Sequence, residues 1–234
     1  MKSLRITLLF IVLSSSAIAK DSTTVEFKRF ALGIHGSPDY CFRSLSSIVY
    51  STLWRDAFEK PMLGYTGGID LSYFIKKQFA VSLGVNYSQK GYGSHEINIA
   101  YAYSPETIIG TGKYRYNYNY IEIPVKANFV FGKNKIRFIT SLGASPAFML
   151  YQRTNLKIKY IDDTRENKKG KPNYIYNPFN LFLNGSIGID CKLGKKMGLR
   201  IEPTYSYGLF ETINASYSEH LWNAGLNIGC YIKL

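Results

Sequence analysis

The sequence predicts an all-β fold: an eight-stranded antiparallel up-and-down barrel that crosses a membrane with its strands. Three observations predict it. Eight segments alternate apolar and polar residues with period two, short and long connections between them alternate strictly, and the polar rows are dominated by Gly, Ser and Asn. Composition excludes the main competitors. The 234 residues are 46% hydrophobic and 19% charged, which is incompatible with disorder, and three cysteines cannot staple a disulfide-dense miniprotein. Beyond the N-terminus no run of 18 apolar residues occurs, so helices do not span the bilayer.

The first element in order is a leader. Lys2 and Arg5 form a basic region, Leu8 to Leu13 an apolar one and Ala17-Ile18-Ala19 a small-residue cleavage site, so residues 1–19 read as a secretory signal peptide. No cysteine follows that site to carry a lipid anchor. Removal of Lys2 and Arg5 lowers the net charge from +13 to +11 and leaves residues 20–234 as a single barrel domain.

Strands are expected at 29–37, 62–75, 79–91, 114–131, 136–150, 179–193, 197–209 and 221–234. In the sixth, Phe179, Leu181, Leu183, Ile187 and Ile189 share one face while Asn180, Asn184, Ser186 and Asp190 share the other. The third divides Val81, Leu83 and Val85 from Ser82, Gly84 and Asn86. The fourth divides Ile121, Ile123 and Val125 from Glu122, Pro124 and Lys126, and the eighth Leu226, Ile228 and Ile232 from Asn227, Gly229 and Lys233.

Lys76-Lys77-Gln78, Gly132-Lys133-Asn134-Lys135 and Gly194-Lys195-Lys196 form tight hairpin turns. The connections at 38–61, 92–113, 151–178 and 210–220 are long. A soluble sandwich or lipocalin-like barrel would point its apolar row inward and carry a charged exterior. Small polar residues opposite an apolar row instead suit a narrow polar lumen inside a lipid-facing wall, with short periplasmic turns and long extracellular loops. About ten tilted residues cross the apolar layer, and every expected strand after the first supplies them. The abundant tyrosines then anchor the interfaces: Tyr73, Phe74, Phe79 and Phe131 at the short-turn end, and Tyr87, Phe179, Tyr205, Tyr207 and Trp222 at the long-loop end.

Phe79-Ala-Val-Ser-Leu-Gly-Val-Asn-Tyr-Ser-Gln-Lys-Gly91, Tyr120-Ile-Glu-Ile-Pro-Val-Lys126 and Gly185-Ser-Ile-Gly-Ile-Asp190 resemble the PorT-like outer-membrane β-barrel family of Gram-negative bacteria. The resemblance covers most of the chain after the leader, and Tyr-Ile-Glu-Ile-Pro is its most specific part. It implies an eight-stranded barrel in the outer membrane and assigns no activity.

Candidate chemistry is sparse. His35, His95 and His220 are the available bases, but no nucleophile motif accompanies them, so no catalytic residue, cofactor or metal ligand is assigned. Cys41 falls in a long connection and Cys191 and Cys230 in strands, without zinc or redox spacing. The basic balance carries no helix-turn-helix, zinc-finger or RNA-binding signature, which argues against nucleic acid. Leu45, Ile48, Val49, Leu53 and Ala57 recur at helical spacing between Ser44 and Pro61, as in a short amphipathic helix.

Two constellations remain. Arg153, Lys157, Lys159, Arg165, Lys168, Lys169 and Lys171 outnumber Asp162, Asp163 and Glu166 in one long connection, an extracellular basic loop that suits anionic glycans or lipid phosphates, or simply stays solvated. Asp70, Lys126, Asp190, Arg200 and Glu202 lie on polar faces four to seven positions beyond short turns. They are expected to form a lumen charge layer in which Lys126 and Arg200 bridge the carboxylates; strand stagger would instead leave them as separate hydrated groups. The expected role is structural, adhesive or assembly-accessory, in contact with outer-membrane lipid and, through the loops, with a glycan or another envelope protein. A narrow porin-like passive channel is the alternative, followed by a rim-sited lipid- or peptide-modifying enzyme.

Overall fold

A computed structural model describes residues 28–46, 58–101, 103–170, 176–194, 196–213 and 218–234. The strands are β1 (Phe30–Ser46), β2 (Glu59–Lys76), β3 (Phe79–Ser94), β4 (Ile97–Tyr101), β5 (Ser104–Glu122) and β6 (Val125–Phe131). They continue with β7 (Ile136–Tyr160), β8 (Arg165–Gly170), β9 (Phe179–Lys192), β10 (Met197–Gly208) and β11 (Ser218–Lys233). Among the described residues they close a ring of eight staves, with β11 pairing back onto β1. Every pairing is antiparallel, so no sheet edge is left within the ring.

One stave is built from two strands. β3 pairs with β6 from Phe79 to Leu83 and with β5 from Asn86 to Gly93, and β7 lies beside both on the other side. The break falls at Ile123–Pro124, where proline has no N–H to give the ladder. Backbone pairing is nevertheless kept: Gly84 N donates to the Pro124 carbonyl at 3.0 Å, and Ile123 N donates to the Pro146 carbonyl at 2.9 Å.

The packing is inside out. Ile34 and Leu142 are each 64% exposed, and Leu83, Ile187 and Phe131 more than half exposed, while Arg43, Lys90 and Asp190 inside the ring are at most 2% exposed. A water-soluble fold would reverse this, because apolar area is driven out of water and unpaired charges into it. A wall that exposes one apolar row per strand fits a hydrocarbon solvent, and a closed ring satisfies the backbone there. Leu183, Ile187 and Ile189 do point outward, as the period-two reading required.

Several expectations change. The strands run further than expected at the long-connection end, so Cys41 lies buried within β1 rather than in a loop. Of the helix expected between Ser44 and Pro61, Ser44–Ser46 close β1, Phe58 directly precedes β2 and Glu59–Pro61 open it; residues 47–57 lie outside the described residues, as does the leader at 1–19. Phe74 is no interface anchor. It is 1% exposed and packs inside the ring with Ala31, Ala80 and Tyr231. Other anchors hold their places, with Phe79 against Phe129 at one end and Tyr65, Tyr87 and Tyr151 in contact at the other.

The connections at 92–113 and 151–178 are largely strand, not loop. β5 and β7 stay paired past the end of the β7–β9 ladder at Phe148↔Phe179, from Asn119↔Tyr151 to Gly110↔Tyr160, with β3 still beside β5 as far as Arg115. β4 adds to the free side of β5 and β8 to the free side of β7, making a four-stranded extension in the order β4-β5-β7-β8. A bulge marks its base: Tyr120 pairs with Met149 but Asn119 with Tyr151, leaving Leu150 as the extra residue.

Candidate functional site

The lumen is lined by alternate residues of every stave, and its charges meet at several depths. Nearest the short turns, Asp190 is fully buried. It accepts hydrogen bonds from Arg137 Nη2 at 2.9 Å, Arg200 Nε at 3.2 Å and the Tyr231 hydroxyl at 2.8 Å. Register explains the meeting, since Asp190 lies directly across from Arg137 on one side and Arg200 on the other. The Arg200 guanidinium also sits over the Tyr231 ring, 4.6 Å from its centre. Above this group a cavity of about 40 Å³ is bordered by His35, Asp70, Lys126, Arg200 and Glu202. His35 Nδ1 lies 3.3 Å from Asp70 Oδ1, and Glu202 accepts from the Ser186 hydroxyl at 2.9 Å.

Higher still, a second cavity of about 60 Å³ ends at Lys90. The Lys90 ammonium lies 3.0 Å from Glu122 Oε1, donates to Asn223 Oδ1 at 2.8 Å and stands over the Phe182 ring. At the long-connection end Arg43 bridges Glu219, at 2.5 Å, and Glu59. Its guanidinium lies 4.1 Å from the centre of the Tyr92 ring, and the Tyr118 hydroxyl donates to Glu219 at 3.1 Å. These are the partners that buried charges require, because an unpaired ion would cost several kcal/mol.

The five expected lumen charges are thus partly gathered. Asp70, Lys126, Arg200 and Glu202 border one cavity, and Arg200 links it to Asp190. Lys126 makes no ion pair among the described residues, so the bridging falls to Arg200 and to Arg137. Arg137, Lys90, Glu122, Arg43 and Glu219 were not singled out. Parity alone finds three of them, since Arg137 shares a row with Ser141, and Lys90 and Glu122 lie on the polar rows of their strands, whereas Arg43 and Glu219 fall in stretches expected as loop.

The second candidate is the outward face of the extension. The bulge at Leu150 inverts the facing of β7, so Tyr151, Arg153, Lys157 and Lys159 point the same way as the lipid-facing row instead of into the lumen. Lys113 and Arg115 of β5 and Arg165 and Lys169 of β8 share that face by register. Lys168 falls on the opposite face with Glu166, and Lys171 lies outside the described residues. The expected basic loop is therefore a basic sheet face. Glu96, at the end of the same face, is 3.3 Å from Lys113 and accepts from Thr111, whose hydroxyl first and Lys113 second hold its carboxyl below the usual range.

Among the described residues the three histidines lie apart, each with its own partner. His35 is tied to Asp70 in the lumen, and His220 Nδ1 lies 3.0 Å from the Gly208 carbonyl with its ring stacked on Tyr207. His95 donates its backbone N–H to Phe58 just before β4. No cluster of three or more His, Cys, Asp or Glu side chains suited to a metal occurs among the described residues.

A closed ring with an apolar exterior and a charged, filled interior defines an integral membrane β-barrel. The chain belongs to the outer membrane protein beta-barrel domain family, whose model matches residues 14–214, and its place is the outer membrane. No curated protein matches the sequence. Solved structures similar to it include Neisserial surface protein A, at 13% identity and a TM-score of 0.46, over 88% of this chain and 97% of that one. OprG from Pseudomonas aeruginosa is similar at 11% identity and a TM-score of 0.40, over 88% and 97%. Ail from Yersinia pestis, solved with the heparin analogue sucrose octasulfate, matches at 11% identity and a TM-score of 0.33, over 86% and 97%.

Proposed function

We propose that this protein is a structural or adhesive barrel of the PorT-like kind, with a lumen sealed by side chains and an extracellular sheet that meets other envelope components. The domain runs from residue 20, after a cleaved leader at 1–19. The observation that carries the sealed lumen is the succession of buried pairs from Asp190 to Arg43, with cavities of about 40 and 60 Å³ between them among the described residues. Each cavity is of the order of a few water molecules, and an eight-stranded barrel is narrow enough for side chains to fill. Tyr120-Ile-Glu-Ile-Pro, which forms the break in the split stave, supports the PorT-like assignment.

A glycan or envelope-protein partner would be met by the extension, which continues past the β7–β9 ladder on the side away from the short turns and carries the basic face. Nucleic acid, a cofactor and catalysis form no part of this reading. The passive channel is the competing reading, and a planar-bilayer recording separates the two. The sealed lumen predicts no steady current from the wild-type protein at moderate voltage. A stable ohmic conductance would replace it with the channel.

A further inference from the structure

We propose that the outward basic face of the extension binds the phosphorylated headgroups of saccharide lipids in the outer leaflet, clamping the barrel laterally to its own membrane. The inference rests on the membrane-barrel reading and names the chemistry that its extension recognises. Three observations carry it: position, charge pairing and the bulge.

The face is continuous with the lipid-facing wall. Tyr151, whose hydroxyl meets that of Tyr87, belongs to the aromatic ring at the upper edge of the apolar band, and Arg153 lies over it, 5.7 Å from its ring centre. At roughly 3.3 Å per residue along a strand tilted about 40°, Arg153 stands ~5 Å and Lys157 ~15 Å beyond Tyr151. On that scale Arg153 stands within the headgroup layer, which adds about 5 to 8 Å to each side of the hydrocarbon core, and Lys157 stands beyond it, at a height that only a large saccharide headgroup reaches. Arg115 points the same way, its guanidinium reaching across β3 to the carbonyl of outward-facing Leu63.

The charges repel each other without a ligand. Lys113 lies directly across from Lys157, and Lys159 directly across from Arg165. Like charges in opposed positions destabilise a sheet. Glu96 offsets Lys113 and Asp163 offsets Lys159, but Arg115, Arg153, Lys157, Arg165 and Lys169 make no ion pair among the described residues. Closely spaced cations that lack anions on one flat face match ligands carrying several phosphoryl groups, which guanidinium groups bind in bidentate fashion. The bulge supplies the direction. Without Leu150 as an extra residue, Arg153, Lys157 and Lys159 would continue the lumen row instead of the lipid-facing one.

The test uses the folded chain in phosphatidylcholine nanodiscs, offered a phosphorylated saccharide lipid or its dephosphorylated counterpart, with retained lipid measured after washing. Wild type should retain the phosphorylated lipid far better. The triple variant Arg153→Gln/Lys157→Gln/Arg165→Gln should lose about a hundredfold in apparent affinity, each headgroup-facing charge contributing roughly fivefold. Single Arg153→Gln and Lys157→Gln variants should each lose about fivefold, and unboiled gel mobility reports whether each variant is folded. Lys133→Gln/Lys135→Gln/Lys192→Gln removes as much charge at the short-turn end and should change nothing. Equal retention of the two lipids, or equal loss in the short-turn variant, would overturn the proposal. So would capture of a soluble sulfated oligosaccharide by the same residues with no preference for phosphorylated lipid, although the adhesive reading would then survive. A steady conductance would instead sink the sealed-lumen reading and leave the lipid result intact.

Discussion

At the residue scale, Asp190 shows how a buried carboxylate is kept. Two guanidiniums and a phenol converge on it because β7, β9, β10 and β11 bring Arg137, Arg200 and Tyr231 to one depth. Replacing Arg200 with Ala leaves that carboxylate half-paired and should cost roughly 3 to 5 kcal/mol, as when one partner of a buried pair is removed. Denaturant unfolding in detergent micelles measures it, and an unchanged midpoint would refute the plug. On the outer face the sign of the environment reverses. Leu183→Arg or Ile187→Arg should cost about 2 to 4 kcal/mol, whereas Tyr103→Arg, at a fully exposed position between β4 and β5, should be nearly neutral. Asn155 is a poorer control for the same comparison, because it lies between Arg115 and Lys169 in the sheet. Gly91 is fixed for a different reason: its φ of +149° and the backbone of Tyr116 leave no place for a Cβ.

At the element scale, sequence was most legible where one face is solvated by lipid. β3, β9, β10 and β11 lie within a few residues of their expected bounds, because strict alternation and tight Lys- and Gly-containing turns leave one register. It was least legible where strands leave the membrane. There both faces carry polar residues, so the alternation fades and β4, β8 and the upper halves of β5 and β7 read as loop. The lumen charges were half legible. Asp190 and Arg200 stood out in clear alternations, but depth depends on stagger between staves, which no single strand encodes. The bulge was invisible for a related reason: Met149-Leu150-Tyr151 is apolar throughout, so a change of facing leaves no mark in the pattern. Deleting Leu150 should force either the ring or the extension out of register. The expected outcome is rapid proteolysis between 151 and 170 with the ring still resistant, and unaltered protection of that segment would show that the bulge does not set its facing.

At the scale of the whole molecule, a narrow ring carries its polar groups inside, its apolar groups outside and its excess cations at its two ends, on the projecting sheet and in the short turns with Lys76, Lys77, Lys133, Lys135 and Lys196. The net +13 of the chain is therefore not a property of the wall, which is apolar, nor chiefly of the lumen, where cations meet carboxylates. Closure is what makes this arrangement possible, since any opened edge would expose unpaired backbone to hydrocarbon. The most direct measurement is the gel mobility of outer-membrane fractions prepared with and without boiling. A closed barrel predicts that the protein fractionates with the outer membrane and that the unboiled form migrates as a compact band, distinct from the boiled one. A protein found in the soluble fraction, with a single mobility under both conditions, would contradict the membrane barrel.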